Sequence, residues 1–172
     1  MELEKTLILN QLQIKQKVNR IAYQIYEDNF EESEIIIAGI HHGGYKFAKR
    51  IVDALKEIAP LKVSLIEVIL DKENPFNEEV KLSGSDIENS KSFNGKVVIL
   101  VDDVLNSGKT LIYAMKPFLE MPLKKLRIVV LVNRNHKRYP VSPDFSGINL
   151  STTLQEHIFV ELNEKEDSVY LG

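Results

Sequence analysis

Three runs of apolar residues rich in β-branched side chains constrain this chain more than anything else in it: EIIIAGI (Glu34 to Ile40), KVVILV (Lys96 to Val101) and LRIVVLVNR (Leu126 to Arg134). Each is continuous rather than alternating, which is the pattern of a strand buried on both faces, and such strands belong to parallel sheets covered by helices. The first run passes through HHGG into Ala48, Ile51, Val52, Leu55 and Ile58 at helical spacing, and Pro60 ends that helix. LKVSLIEVIL (Leu61 to Leu70) supplies a further strand. Leu7, Ile14, Val18, Ile21 and Ile25 form an amphipathic stripe, so the first thirty residues read as mostly helix. Asp71 to Ser85 is polar, with Asn74-Pro75 and Ser83-Gly84, and reads as a loop or a mobile hairpin. After a polar segment, HIFVEL and SVYLG read as short terminal strands. The expectation is an α/β fold: a mainly parallel twisted sheet, joined by right-handed crossovers, with helices on both faces.

In such sheets ligands bind beyond the carboxyl ends of the strands, where both unusual turns, HHGG and DDVLNSGKT, fall. At 172 residues the chain reads as one domain spanning 1–172. It has no Cys, which excludes disulfides, thiolate metal sites and a cysteine nucleophile. A net charge of −3 lacks the cationic excess that nucleic-acid binders carry. The charged N-terminus does not resemble a signal peptide, and no apolar run approaches the roughly 18 residues a membrane span needs, so a cytoplasmic location without membrane association is expected.

The stretch VVILVDDVLNSGKTL (Val97 to Leu111) carries the chemistry. Its Ser-Gly-Lys-Thr ending suggests a nucleotide-hydrolase phosphate loop, but that loop needs a glycine where Asp103 stands, and two acids just upstream repel a triphosphate. A response-regulator acid pocket is disfavoured because its paired acids follow the first strand. A sugar-phosphate site fits better. A helix opening near Gly108 offers unpaired N–H groups, and Asn106, Ser107, Gly108, Lys109 and Thr110 form a cradle for one phosphate. Asp102 and Asp103 are acceptor-only groups suited to the vicinal hydroxyls of a ribose.

This stretch resembles the signature of the type I phosphoribosyltransferases, which attach ribose 5-phosphate from 5-phosphoribosyl-1-pyrophosphate to a nitrogenous base with Mg²⁺. The resemblance runs from about residue 18 to 165. IIIAGIHHGGYKFAKRI stands at the family's pyrophosphate loop, here His41, His42, Gly43 and Gly44. LVNRNHKRYPVSPDFSGINLSTT resembles the base-side segment of the uracil phosphoribosyltransferase and bacterial pyrimidine-operon regulator group, which implies Arg134 and His136 beside the base. The resemblance implies that fold with a small hood, Mg²⁺ held through the substrate and not by a direct protein metal site, a homodimer, and a closing loop in which Lys72 and Lys81 are the basic residues. No residue is assigned as the catalytic acid or base.

Purine 6-oxo transferases carry Asp at the position of Asn106 and Lys at that of Asn133, so the two amides favour a pyrimidine, most simply uracil. The alternatives are a purine-base transferase and a weakly active nucleotide-sensing regulator. The uracil group has Arg where Gly43 stands; His41 and His42 would have to supply charge there, and Arg at 43 is expected to restore a grip on pyrophosphate. Some of the resembled group touch RNA. Tyr23 and the acidic balance disfavour RNA here, while Lys17 and Arg20 leave it open.

Overall fold

The computed structural model describes residues 4–85 and 90–172. A six-stranded sheet runs in the order β4-β3-β2-β5-β6-β7, formed by β2 (Glu34–Ile40), β3 (Lys62–Ile69), β4 (Lys81–Ser83), β5 (Val97–Leu105), β6 (Lys125–Arg134) and β7 (Phe145–Leu150). All its pairings are parallel except that of β3 with β4. A second sheet, the hood, joins β1 (Thr6–Leu9), β9 (Ser168–Leu171) and β8 (Ile158–Glu161) in antiparallel pairs.

The continuous apolar runs became central strands because both faces of the sheet are covered. On one face α1 (Gln11–Asp28) and α2 (Gly43–Ile58) bury Ile14, Ile21, Ile25, Phe47, Ile51 and Leu55 against Ile35, Ile37, Val97 and Ile99. The hood closes that core with Leu9, Leu162 and Val169. On the other face α3 (Lys109–Ala114), α4 (Lys116–Leu119) and a 3₁₀ turn at Ser90–Phe93 bury Leu111, Phe118 and Phe93 against Ile36, Ala38, Val98 and Leu100. Among the described residues no helix is long and apolar enough to cross a membrane.

Three expectations are corrected. Leu7 lies in β1 and is 51% exposed, because helix α1 starts only after Asn10. There the Asn10 side chain accepts from the Gln13 N–H while the Gln13 side chain accepts from the Asn10 N–H, both at 2.9 Å, a reciprocal cap worth about 1 kcal/mol. The polar segment after β6 contains β7, an edge strand. The helix after Gly108 is two short pieces: Pro117 cannot donate to the ladder, and the first piece ends at Ala114. Asp71 to Ser85 returns to the sheet through β4, with Ser83 opposite Glu67.

Candidate active site

β5 ends in a loop that doubles as a cleft. Residues 102 and 104–111 line this cleft. Gly108 has φ of +85°, the left-handed region that glycine adopts cheaply, and this turns the chain into α3. The turn is held from behind by the segment that follows β6: the Ser107 carbonyl accepts from the N–H groups of Arg138 (2.8 Å) and Tyr139 (3.0 Å). In front, the Lys109 N–H donates to Ser107 Oγ at 3.3 Å, and no backbone carbonyl of the described residues accepts from the N–H groups of Gly108, Thr110 and Leu111. Unpaired donors gathered at one turn, with the Ser107 and Thr110 hydroxyls, fit one phosphate group.

The acid pair stands at the lip of this turn. Asp102 is buried at 2% exposure, and its Oδ1 accepts from the Asp103 N–H at 3.0 Å. Burial, and next the Asp103 charge, hold its carboxyl well above the usual carboxylate range, while Lys72 opposes them. Lys72 Nζ lies 3.6 Å from Asp102 Oδ1. Asp103 is less buried and accepts from the Val104 N–H at 2.9 Å.

The loop after β3 folds down over the cleft. Asp71 Oδ1 accepts from the N–H groups of Glu73 (2.9 Å) and Asn74 (3.2 Å), making a tight turn that brings Lys72 to the acids. The Glu73 carbonyl accepts from Lys109 Nζ at 2.8 Å, and Phe76 packs on Tyr113 of α3 at 6.5 Å between centroids.

The turn between β2 and α2 meets the same acids. A β-carbon at residue 44 would stand 2.7 Å from the Val101 carbonyl, so glycine is required there by close approach to β5. A β-carbon at residue 43 would collide with Asp103 Oδ2 and lie 2.6 Å from Asp103 Cγ. An arginine at 43 would therefore require the Asp103 side chain to turn aside. His41 is tied to β3, its N–H donating to the Val68 carbonyl at 2.9 Å and its ring nitrogen Nδ1 bonded to Glu67 Oε1. His42 is exposed and caps nothing.

Arg134 and His136 share one neighbourhood at the end of β6. The Arg134 guanidinium is buried and committed to Thr152 Oγ1 (2.5 Å), the Thr153 carbonyl (2.7 Å) and Asn106 Oδ1 (3.4 Å). His136 Nε2 meets the Thr152 carbonyl at 2.7 Å. Both therefore fasten the segment after β7 to the rim of the cleft. Asn133 is in register with Leu105, which lines the cleft; its Nδ2 donates to Asn149 Oδ1 at 2.9 Å, and its own Oδ1 is buried without a partner.

A mainly parallel sheet whose β5 ends in an acid pair and a turn of unpaired N–H groups is the arrangement the sequence led one to expect of a sugar-phosphate site. Residues 5–165 match the model of the phosphoribosyl transferase domain, and the chain belongs to that family. It is 36% identical over 162 residues to the bifunctional protein PyrR of Streptococcus pneumoniae, covering 93% of this chain and 91% of the relative. Among solved structures it shares the fold of a hypoxanthine-guanine phosphoribosyltransferase from Bacillus anthracis, with a TM-score of 0.72 at 24% identity over 98% of this chain and 99% of the other. The hypoxanthine phosphoribosyltransferase of Trypanosoma cruzi, in complex with the product IMP, gives 0.73 at 21% identity, covering 98% and 94%. The protein is a phosphoribosyltransferase.

Proposed function

We propose that residues 1–172 act as one unit that transfers the 5-phosphoribosyl group from 5-phosphoribosyl-1-pyrophosphate to uracil. The observation that carries the sugar-phosphate assignment is the buried Asp102 carboxyl beside Asp103, directly ahead of a turn with unpaired donors. The 5′-phosphate takes the N–H groups and hydroxyls of 106–110. The ribose hydroxyls donate to Asp102 and Asp103, displacing Lys72. The C1–O bond breaks as a ring nitrogen of the base bonds C1, pyrophosphate leaves with the electron pair of that bond, and the proton on the nitrogen passes to the departing pyrophosphate or to solvent. Asn106 carries an amide and does not accept this proton.

Mg²⁺ fits this donor set as a substrate-borne ion. The ribose hydroxyls and the pyrophosphate oxygens of the donor substrate would present the oxygen ligands that a hard cation takes, with the acid pair holding the ribose. When bound, it supplies charge neutralisation at the pyrophosphate oxygens. The base preference rests on two amides, Asn106, which lines the cleft, and Asn133, near the end of β6, neither of which offers a carboxylate or an ammonium to a purine. The 36% likeness to PyrR supports the same direction.

Pairing into a homodimer is part of this reading, supported by Leu12 (64%), Tyr23 (56%) and Phe30 (67%), exposed along and just past α1. RNA is disfavoured as a partner, since Arg20 donates to the carbonyls of Ser146 (2.8 Å) and Gly147 (2.7 Å) rather than standing free. A cytoplasmic location suits such substrates.

The test is steady-state transfer from 5-phosphoribosyl-1-pyrophosphate to uracil, hypoxanthine, guanine and xanthine in parallel. Preference for uracil is expected. Preference for a purine would overturn the base assignment, and binding of the pyrophosphate donor without turnover on any base would favour a nucleotide-sensing role.

A further inference from the structure

The site has an acid that the reaction as described does not use. Glu67 is in register with Gly39, so the two share a face of the sheet. A β-carbon on Gly39 would meet Tyr45 Cα of α2 at 2.6 Å, so this is the face that carries α2. Glu67 is therefore placed at the amino end of α2, beside the turn where the family's pyrophosphate loop lies. Its side chain is 24% exposed and bonded to His41 Nδ1.

A carboxylate beside a pyrophosphate site repels the ligand unless it holds a cation. His41 is that cation when protonated. With Nδ1–H donated to Glu67 and the backbone N–H donated to Val68, His41 is fixed on β3 from two directions, and Nε2 is the ring nitrogen left for a ligand. The other charged and titratable groups around this turn include His42 beside it, Tyr45 and Lys46 in the first turn of α2, Asp103 of β5 against Gly43, and Lys72 from the loop after β3 on Asp102. Among the described residues His42 has no carboxylate partner. At residue 43 the Asp103 carboxylate occupies the position a β-carbon would take.

We propose that Glu67 is a positioning residue for the transfer reaction: it orients His41 and balances its charge, so that His41 rather than His42 stabilises the departing pyrophosphate. This rests on the phosphoribosyl-transfer reading above. Glu67 acts through His41 and touches no substrate.

The sign of one measurement decides between repulsion and positioning. Pyrophosphate binding with Mg²⁺ is measured by calorimetry at pH 6 and pH 9 on wild type, Glu67→Gln, His41→Gln, the double variant and His42→Gln, with turnover on the same proteins. At pH 6, Glu67→Gln and His41→Gln are each expected to weaken pyrophosphate about tenfold, the loss of one charge-assisted contact. The double variant should be no worse than His41→Gln alone, and kcat should fall more than the KM for the base rises. At pH 9 the loss caused by Glu67→Gln should be smaller than at pH 6, because a carboxylate that no longer faces a cation repels the ligand. His42→Gln should weaken binding less than His41→Gln does, and its effect should add to that of Glu67→Gln. Tighter pyrophosphate binding in Glu67→Gln at pH 6 would show an acid that merely repels, and would overturn the proposal. So would a Glu67→Gln loss that persists in full in the His41→Gln background, or that extends equally to uridine monophosphate. The two readings fail separately. A wild type that binds uridine monophosphate, with pyrophosphate affinity untouched by Glu67→Gln, sinks only the role of Glu67; a wild type that binds neither ligand sinks both.

Discussion

Asp28 and Asp102 lie at opposite ends of the sheet and are treated in opposite ways. Asp28, at the end of α1, faces the start of β6 and receives Lys125 Nζ at 2.8 Å, with Arg127 Nε at 3.0 Å and Nη2 at 3.2 Å. The Arg127 hydrogen bond, with help from Lys125, holds its carboxyl below the usual range. Asp102, at the far end of β5, is more deeply buried, has a second acid beside it and only a half-exposed lysine 3.6 Å away, and its carboxyl is held well above that range. The fold satisfies the acid that fastens a helix to a strand and leaves short of partners the acid at the mouth of the cleft. An under-compensated buried carboxyl is what a ligand-binding group looks like before its ligand arrives.

The comparison breaks most decisively if the under-compensated acid turns out to be structural. Asp102→Asn with Asp103→Asn is expected to weaken uridine monophosphate binding about 100-fold or more, since two hydrogen bonds to charged acceptors are lost. The apo protein should melt no lower and, near neutral pH, higher. Asp102 favours its protonated form in the fold, so its contribution is fully present below the unfolded carboxylate pKa of about 3.9 and is lost as pH rises through the folded value. An amide has no charge to lose. Calorimetry for the ligand and a thermal melt without it read the two halves. A large fall in apo melting temperature would mean the pair holds the fold.

Lys109→Ala with Thr110→Ala removes the cation and a hydroxyl from the phosphate turn while keeping Gly108 and its backbone donors. Affinity for uridine monophosphate should fall about 10-fold to 100-fold, as for one charged contact. Free uracil, which has no phosphate, is the control ligand. Undiminished nucleotide affinity would remove the phosphate from this turn.

How much of this was legible depends on how local the signal is. The central strands were readable because Val97 to Val101 and Leu126 to Val132 are apolar throughout, and burial on both faces leaves that mark in the chain itself. The acid pair and the phosphate turn were readable because all their residues lie between 102 and 110. β1 was missed because Leu7 falls, by its spacing from Ile14, on the stripe of α1; the Asn10 to Gln13 capping box was the signal that separates them. β7 was missed because FSGINL is a half-polar edge strand with a glycine in it. Glu67 reaches the site only through strand register, and nothing within a few residues of it announces that. That Asp103 stands against residue 43 was hidden for the same reason, since the two are sixty residues apart in sequence.

At the other end of the comparison, Asp28→Asn should cost stability and nothing else. Asp28 is partly exposed, so its ion pairs are discounted for solvent screening to about 1 kcal/mol, or a melting temperature lower by about 2–4 °C. Arg127 keeps Asp144 as a partner at 3.5 Å, which limits the loss. Because the Asp28 carboxyl is held low, its contribution is present above the unfolded pKa of about 3.9 and is lost as pH falls through the folded value; the gap between wild type and variant should therefore close in acid. Transfer activity should be unchanged. A drop in turnover would tie the two ends of the sheet together and undo the contrast.

The smallest effect sharpens the contrast most, because it asks whether Lys72 is a true partner of Asp102 or only a placeholder. A half-exposed lysine at 3.6 Å contributes about 0–1 kcal/mol, so Lys72→Met should shift the melting temperature by no more than about 2–4 °C. Its pH dependence carries the information. Where Asp102 is protonated the ammonium has no anion to face, and the variant should melt with wild type. As pH rises through the folded value of Asp102 the carboxylate forms, Lys72 opposes its cost, and the variant should fall behind. In an Asp102→Asn background the substitution should have no effect at any pH. Melts across a pH series on the four proteins settle it. An equal loss at every pH, or a loss that survives Asp102→Asn, would mean that Lys72 acts through the packing of its loop and that Asp102 stands without a cation until its ligand arrives.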